Sequence, residues 1–170
     1  PYKGHATLLE ALAKIKHILP ANWQLLCVGE KYDYLKDLKV YSEDLGINKN
    51  VYWLGMQTEV EKLLAISNIA ISCSYEEGFS NAVLEAMAAG LPMIVTEVGG
   101  NPEAVTAGQT GLVIPAKDPQ ALADAIIDLV NNPAKMSTMG AAGKQGVQQN
   151  FSLGACVDSY DKLYQTLVNT

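Results

Sequence analysis

Apolar residues at Leu8, Leu9, Leu12, Ile15 and Leu19 recur at helical spacing and predict an amphipathic helix over 4–18, ended near Pro20. A short continuous apolar run, WQLLCVG (23–29), closes on glycine and reads as a buried strand. Four further runs have the same character: VYWLG (51–55), IAISCS (69–74), PMIVT (92–96) and GLVIP (111–115). Helical patterns separate them, over 33–45, 58–67 and 81–89, with a short helix starting near Asn101-Pro102. Asp118-Pro119 pairs an N-cap with a proline suited to a first helical turn, and starts a helix to about 130. Asn132-Pro133 repeats the device, and Ser152 caps a final helix to about 168. In that last helix Tyr160, Leu163, Tyr164 and Leu167 share one face and predict packing.

Strands that are continuously apolar rather than alternating, and that are separated by helices, predict a doubly wound α/β fold. Its sheet would be mostly parallel, with helices on both faces. The length of 170 residues suits one domain with a sizeable core. In such a fold ligands bind beyond the carboxyl ends of the strands. The loop 75–80 and the turns after Gly29, Gly55 and Thr96 lie there.

Composition narrows the partners. Apolar residues make up 49% of the chain and no run approaches the ~20 needed to span a bilayer, so no membrane segment is expected. The net charge is −6 and no Lys/Arg cluster could grip a nucleic-acid backbone. The three cysteines, Cys27, Cys73 and Cys156, have no metal-ligand spacing and read as reduced, buried thiols of a cytoplasmic protein. His5 lacks an acid, serine or ligand partner at meaningful spacing and reads as structural; His17 reads as a helix-surface residue. The first residue is Pro1, which reads as the start of a piece cut from a longer polypeptide.

The densest chemistry lies in EEGFSNAVLEAMAAGLP (76–92). Glu77 and Glu85 have seven residues between them, and Gly78, Phe79 and Ser80 join the first to the helix that carries the second. That helix is apolar nearly all round and reads as buried, with Asn81 and Glu85 as one polar stripe facing a cleft. The amide groups around Ser80, Asn81 and Ala82 have no partner within the helix and suit a phosphate or diphosphate. Glu85, one turn on, could accept hydrogen bonds from a sugar diol, and Glu77 from another hydroxylated part of the same ligand. A plain N-cap flanked by two surface glutamates would produce the same spacing.

This stretch resembles the signature of the retaining glycosyltransferases of family 4, the group 1 transferases with the two-Rossmann-domain GT-B fold. Ser74, the whole EGFSNAVLEAMAAGLP run, VGGNPEAV (98–105), GQTGLVIP (108–115) and the DPQALADAI helix follow the family in order. Upstream, KGH (3–5), VGE (28–30) and VYWLG (51–55) fit as well. The resemblance implies that Glu85 binds the ribose of a nucleoside diphosphate sugar such as a UDP or GDP sugar, and that Glu77 contacts the donor sugar. It implies that Phe79, Ser80 and Asn81, next to Gly78, bring backbone to the sugar and diphosphate, and that Lys3 neutralises the diphosphate. It further implies that Met56 and Gln57 offer backbone contacts near the base and that Gly99 and Gly100 allow close approach to the donor; Gly29 and Gly55 end strands at the site, where a tight turn alone would also call for glycine. Glu103 reads as a first-turn helix acid favoured by the dipole.

The implied activity is transfer of a sugar from the donor to an acceptor hydroxyl, with retention of configuration and no metal. The acceptor, a glycan, lipid or small molecule, would sit on a separate N-terminal domain. A partner arginine and the first strand of this domain would precede Pro1, so residues 1–170 alone would bind donor weakly and not turn over. The full enzyme would be cytoplasmic, with a peripheral position at the inner face of the membrane left open. Two rivals stand beside this reading. One is a nucleotide-sugar epimerase on the same fold, which would need its own acid–base residues where histidines are scarce. The other is a non-catalytic nucleotide-binding module, against which the intact Glu77/Glu85 pair argues.

Overall fold

In the computed structural model, which describes residues 2–30 and 34–168, helices and strands alternate along most of the chain. Helix α1 (His5–Ile15) leads to β1 (Leu25–Val28), and α2 (Leu35–Asp44) to a 3-10 turn (Asn48–Asn50) and β2 (Val51–Gly55). Then come α3 (Val60–Ile66), β3 (Ala70–Ser72), α4 (Asn81–Ala88), β4 (Met93–Thr96), α5 (Asn101–Ala104) and β5 (Gly111–Ile114). Helices α6 (Pro119–Val130), α7 (Pro133–Asn150) and α8 (Leu153–Val168) close the chain. Each expected element is present with slightly shorter ends; the 3-10 turn is additional, and Asp33 of the expected 33–45 helix lies outside the described residues. Asp118 caps α6 as its sequence indicates, its Oδ1 accepting from the amides of Gln120 and Ala121 at 2.9 Å each. Asn132 does not cap α7; its Nδ2 instead donates back to Asp128 O at 2.6 Å.

All strand pairs are parallel, β1 with β2 and β3 with β4 with β5. They form two sheets, β1-β2 and β3-β4-β5, within the expected parallel α/β class. The reason for the split is local: no described strand pairs with the facing edges of β1 and β3, and the two strands line one cavity of about 600 Å³. Leu25, Leu26 and Cys27 of β1, and Ala70 and Ile71 of β3, are accordingly only half-buried, although their sequence is that of interior strands.

Two apolar cores flank β4. Ile94 joins the core built from α1, α6, Leu38, Ile47 and Ile114. Met93 and Val95, on the opposite pleat, join the core built from α4, α5 and Val147 of α7. Every residue of β4 is buried, as a strand covered on both faces requires. Helix α8 departs from expectation. Tyr160, Leu163, Tyr164 and Leu167, read as a packing face, are exposed, as are Leu153 and Val157 beside them. Helical periodicity marks an apolar face but does not say what covers it.

Helix α7 crosses against the turn that ends α4, and the crossing depends on a missing side chain. A Cβ on Gly140 would lie 2.0 Å from Gly90 O, a backbone atom that cannot rotate away. In the same helix, a Cβ on Gly146 would meet nothing within 4 Å. Gly140→Ala is therefore expected to destabilise the fold by about 2–4 kcal/mol and Gly146→Ala to stabilise it by about 0.5–1 kcal/mol. Chemical denaturation of the two variants reads both signs; equal shifts would contradict the crossing geometry.

Candidate functional site

The site is assembled where β3 and β4 end. Ser74, the second residue past β3, is buried, and the chain then turns outward through Tyr75, Glu76 and Glu77. Tyr75 is pinned to the start of the chain: its amide donates to Tyr2 O at 2.6 Å, and its hydroxyl lies 2.7 Å from Thr7 Oγ1. The Cys73 thiol faces the same segment, donating to Lys3 O and Gly4 O at 3.4 Å. These bonds hold Lys3 beside the loop, and its Nζ donates to Glu77 Oε2 at 2.7 Å. The hydroxyl of Ser74 donates to the same oxygen at 3.1 Å. Lys3 and Glu77, 74 positions apart, thus form one charged pair in which the lysine is 47% exposed and the glutamate 15%.

The rest of the motif divides around this pair. Ser80 stands at the N-terminus of α4 in extended backbone, and its hydroxyl makes no cap hydrogen bond to the helix. Its carbonyl accepts from the amides of Val83 and Leu84 at 3.1 and 3.3 Å. Phe79 turns toward α7, its ring 5.4 Å from that of Phe151. Helix α4 is not buried nearly all round. Val83, Ala86 and Met87 face the core, while Asn81, Ala82, Glu85 and Ala88 are exposed. Its alanines are small enough to sit on an open face, so composition overstated the burial.

The cavity between β1 and β3 opens at this end of the sheets. Lys3, Ser74, Glu77, Ser80, Gly29 and Gly55 line it; Asn81, Glu85, Met56 and Gln57 do not. Gly29 closes β1 by donating its amide to Gly55 O at 3.0 Å. Met56 and Gln57 lie exposed on the turn after β2, where the Gln57 side chain donates to Leu54 O at 2.8 Å. The sequence expectation therefore divides: Lys3, Gly29, Glu77 and Ser80 converge on the cavity, while Gly78, Phe79, Asn81, Glu85, Met56 and Gln57 do not line it. Gly99 and Gly100 approach the 77–79 backbone: the Gly100 amide donates to Gly78 O at 2.7 Å.

Cys27 and Cys73 also line the cavity, and burial pushes their thiols up to about 12 and about 11. Neither is a nucleophile near neutral pH. Cys156 is exposed, against the expectation that all three thiols are buried, because it lies on α8. Among the described residues no group of three or more His, Cys, Asp or Glu could hold a metal ion, and no helix is long and apolar enough to cross a membrane. Sequence reasoning assigned no role to Thr96, which donates to Ser74 O at 2.6 Å, or to Asn101, which donates to Thr96 O at 3.0 Å. The available signal is at Thr96, a polar residue closing an otherwise apolar, buried strand; Asn101 offers none.

Residues 1–146 match the family model described as Glycosyl transferases group 1. Over 157 residues the chain is 33% identical to N-acetyl-alpha-D-glucosaminyl L-malate synthase of Bacillus anthracis, covering 92% of this chain and 40% of that one. The crystal structure of a glycosyltransferase from Rickettsia africae superposes with a TM-score of 0.91 at 26% identity, covering 99% of this chain and 45% of that one. Anabaena Alr3699/HepE in complex with UDP superposes with a TM-score of 0.88 at 26% identity, covering 100% and 46%. The chain spans about two fifths of the length of the curated relatives it matches.

One titrating group on the cavity wall gives the site a pH signature. Burial lowers His5 from its ordinary 6.5, and the charge of Lys3 adds to the effect. As pH falls through 6.5 the unfolded chain takes up a proton at His5 and the folded chain does not. The stability His5 contributes above pH 6.5 is therefore lost as the pH falls below it. The melting temperature is expected to drop more between pH 7.5 and 5.5 in the wild type than in His5→Gln. An equal drop would show that His5 is protonated alike in both states.

Proposed function

The chain belongs to the group 1 glycosyl transferases, and on that footing we propose that it forms the donor-binding part of a transferase for nucleoside diphosphate sugars. The observation that carries this reading is the meeting of Lys3, Glu77 and the uncapped start of α4 at one mouth of the cavity. A diphosphate needs positive charge and amide donors; a sugar needs a carboxylate or other acceptor for its hydroxyls. Both kinds of group are adjacent here.

In this reading the amides of Asn81 and Ala82 and the positive end of the α4 dipole hold the diphosphate. Lys3 turns from Glu77 to the phosphate oxygens and balances the charge that builds on the leaving diphosphate. Glu77, still bonded to Ser74, accepts hydrogen bonds from the donor sugar. Glu85, on the exposed face of α4, accepts from the ribose hydroxyls. An acceptor hydroxyl then attacks the anomeric carbon from the face the diphosphate leaves, the bond to the diphosphate oxygen breaks, the hydroxyl proton passes to the departing diphosphate, and the configuration is retained. No metal takes part. The acceptor is held by a further domain of the intact polypeptide, consistent with relatives more than twice as long. Binding of UDP is a property of the Anabaena neighbour and supports a nucleotide donor here.

The same reading places a further parallel strand between β1 and β3. Tyr2 and Lys3 reach the carboxyl end of β3, so a strand running into Tyr2 would lie parallel to both open edges. A strand–α1–β1 unit of this kind would be expected to take the usual right-handed crossover. In the intact polypeptide, amides of β1 and β3 are expected to exchange with solvent at least about tenfold more slowly than in residues 1–170 alone. Equal rates would rule the strand out.

The ribose assignment is tested by calorimetry of the intact protein with UDP and GDP. Glu85→Ala is expected to weaken the nucleotide that binds by about tenfold or more, the loss of a charge-assisted hydrogen-bond pair. An affinity within twofold of wild type would remove Glu85 from the site.

A further inference from the structure

Glu77 projects from a loop, and a loop does not hold a carboxylate in place unaided. Two grips fix it. Its carboxylate is held by Ser74 Oγ at 3.1 Å. Its backbone rests on Gly99 and Gly100: Gly99 has a φ of 51°, and a Cβ there would fall 1.8 Å from Glu77 O. The Gly100 amide donates to Gly78 O at 2.7 Å.

Both grips meet at one residue, the first at its side chain and the second at its backbone carbonyl. Thr96 ends β4 at 2% exposure, and its hydroxyl donates to Ser74 O at 2.6 Å. The loop 97–100 that carries the two glycines leaves from Thr96 and is closed by Asn101, whose Nδ2 donates to Thr96 O at 3.0 Å. The Asn101 side chain is 1% exposed and its Oδ1 accepts nothing from the described residues. The half of this amide that is bonded is the Nδ2 donor. The other residues of β4, Met93, Ile94 and Val95, are apolar, and a valine at 96 would match the threonine in shape. The hydroxyl therefore serves the bond to Ser74, not the packing.

We propose that Thr96, seated by Asn101, is the positioning residue for Glu77, tying the loop that carries it to the most deeply buried strand of the sheet. The inference rests on the proposed donor-sugar contact of Glu77 for its consequence, but not for its geometry. Removing the hydroxyl leaves Ser74 O buried and unpaired, loosens the Ser74 grip, and lets the carboxylate move while the diphosphate and ribose contacts stay in place.

The test uses the intact protein with Thr96→Val, Thr96→Ser, Asn101→Ala and Glu77→Gln. In Thr96→Val, amide exchange over residues 76–80 is expected to rise by about tenfold with β4 and β5 unchanged, and Thr96→Ser restores the wild-type rate. Asn101→Ala is expected to raise the same amides by a smaller factor. Calorimetry with UDP against UDP-glucose, and GDP against GDP-mannose, reads the consequence. Thr96→Val should weaken the sugar nucleotide by about tenfold and the bare nucleotide by less than about twofold. Unchanged exchange over 76–80 overturns the proposal whatever the ligands do. So does a uniform rise across the sheet, or an equal loss of both ligands. If the loop alone loosens but Glu77→Gln binds sugar nucleotide as wild type does, Thr96 still positions Glu77. The donor-sugar reading of Glu77 then falls separately.

Discussion

Strand β4 is the element on which everything else is set. Its four residues are all buried, with Ile94 facing one core and Met93 and Val95 the other. A side chain of this kind contributes roughly 1.5–3 kcal/mol on burial, and here the contribution is drawn from both faces of one short strand. Helices α1 and α6 pack on one side and α4 and α5 on the other because β4 offers each an apolar surface. Pairing to β3 and β5 fixes the register of both neighbours. The carboxyl end of β4 is thereby the least movable point near the site, and the polar residues gathered there inherit that rigidity.

The fold was largely readable from the chain because its two signals agree. Continuous apolar runs such as PMIVT mark strands without a wet face, and the intervening helical periods mark the crossovers between them. What the pattern could not carry was neighbourhood. LLCV reads as an interior strand, and β1 has the right residues for one, but among the described residues it pairs only with β2 and is half-buried along its open edge. The apolar face of α8 shows the same gap between pattern and contact. Its spacing is as regular as that of α1, whose leucines are buried, but its own large side chains are exposed. Periodicity reports which residues share a face, and burial depends on what stands opposite.

The site was legible in part for a related reason. Glu77 and the start of α4 lie close in sequence, so spacing alone placed them together. Lys3 is 74 positions away from Glu77 and only a motif resemblance connected them. Thr96 and Asn101 carried no recognisable chemistry, since a threonine closing a strand and an asparagine before a proline are ordinary at those places. Their importance comes from depth. Each is buried and hydrogen-bonded toward the loop that bears Glu77, a property of the packed structure rather than of residue type.

The charge pair at the mouth of the cavity shows why rigidity beneath and freedom above suit one another. Lys3 is about half exposed, so its bond to Glu77 is worth no more than about 1 kcal/mol and is weakened further by salt. A lysine held that lightly can exchange a carboxylate for a phosphate at small cost. Glu77 is different. It is mostly covered, and Ser74 still holds it when the lysine leaves. In the proposed reading the two charges therefore divide the work by their attachment. The flexible cation follows charge as it moves onto the departing diphosphate, and the anchored anion keeps the sugar in register. Were the anchoring reversed, with a buried lysine and a loose glutamate, the same two residues would bind phosphate but could not orient the sugar above it.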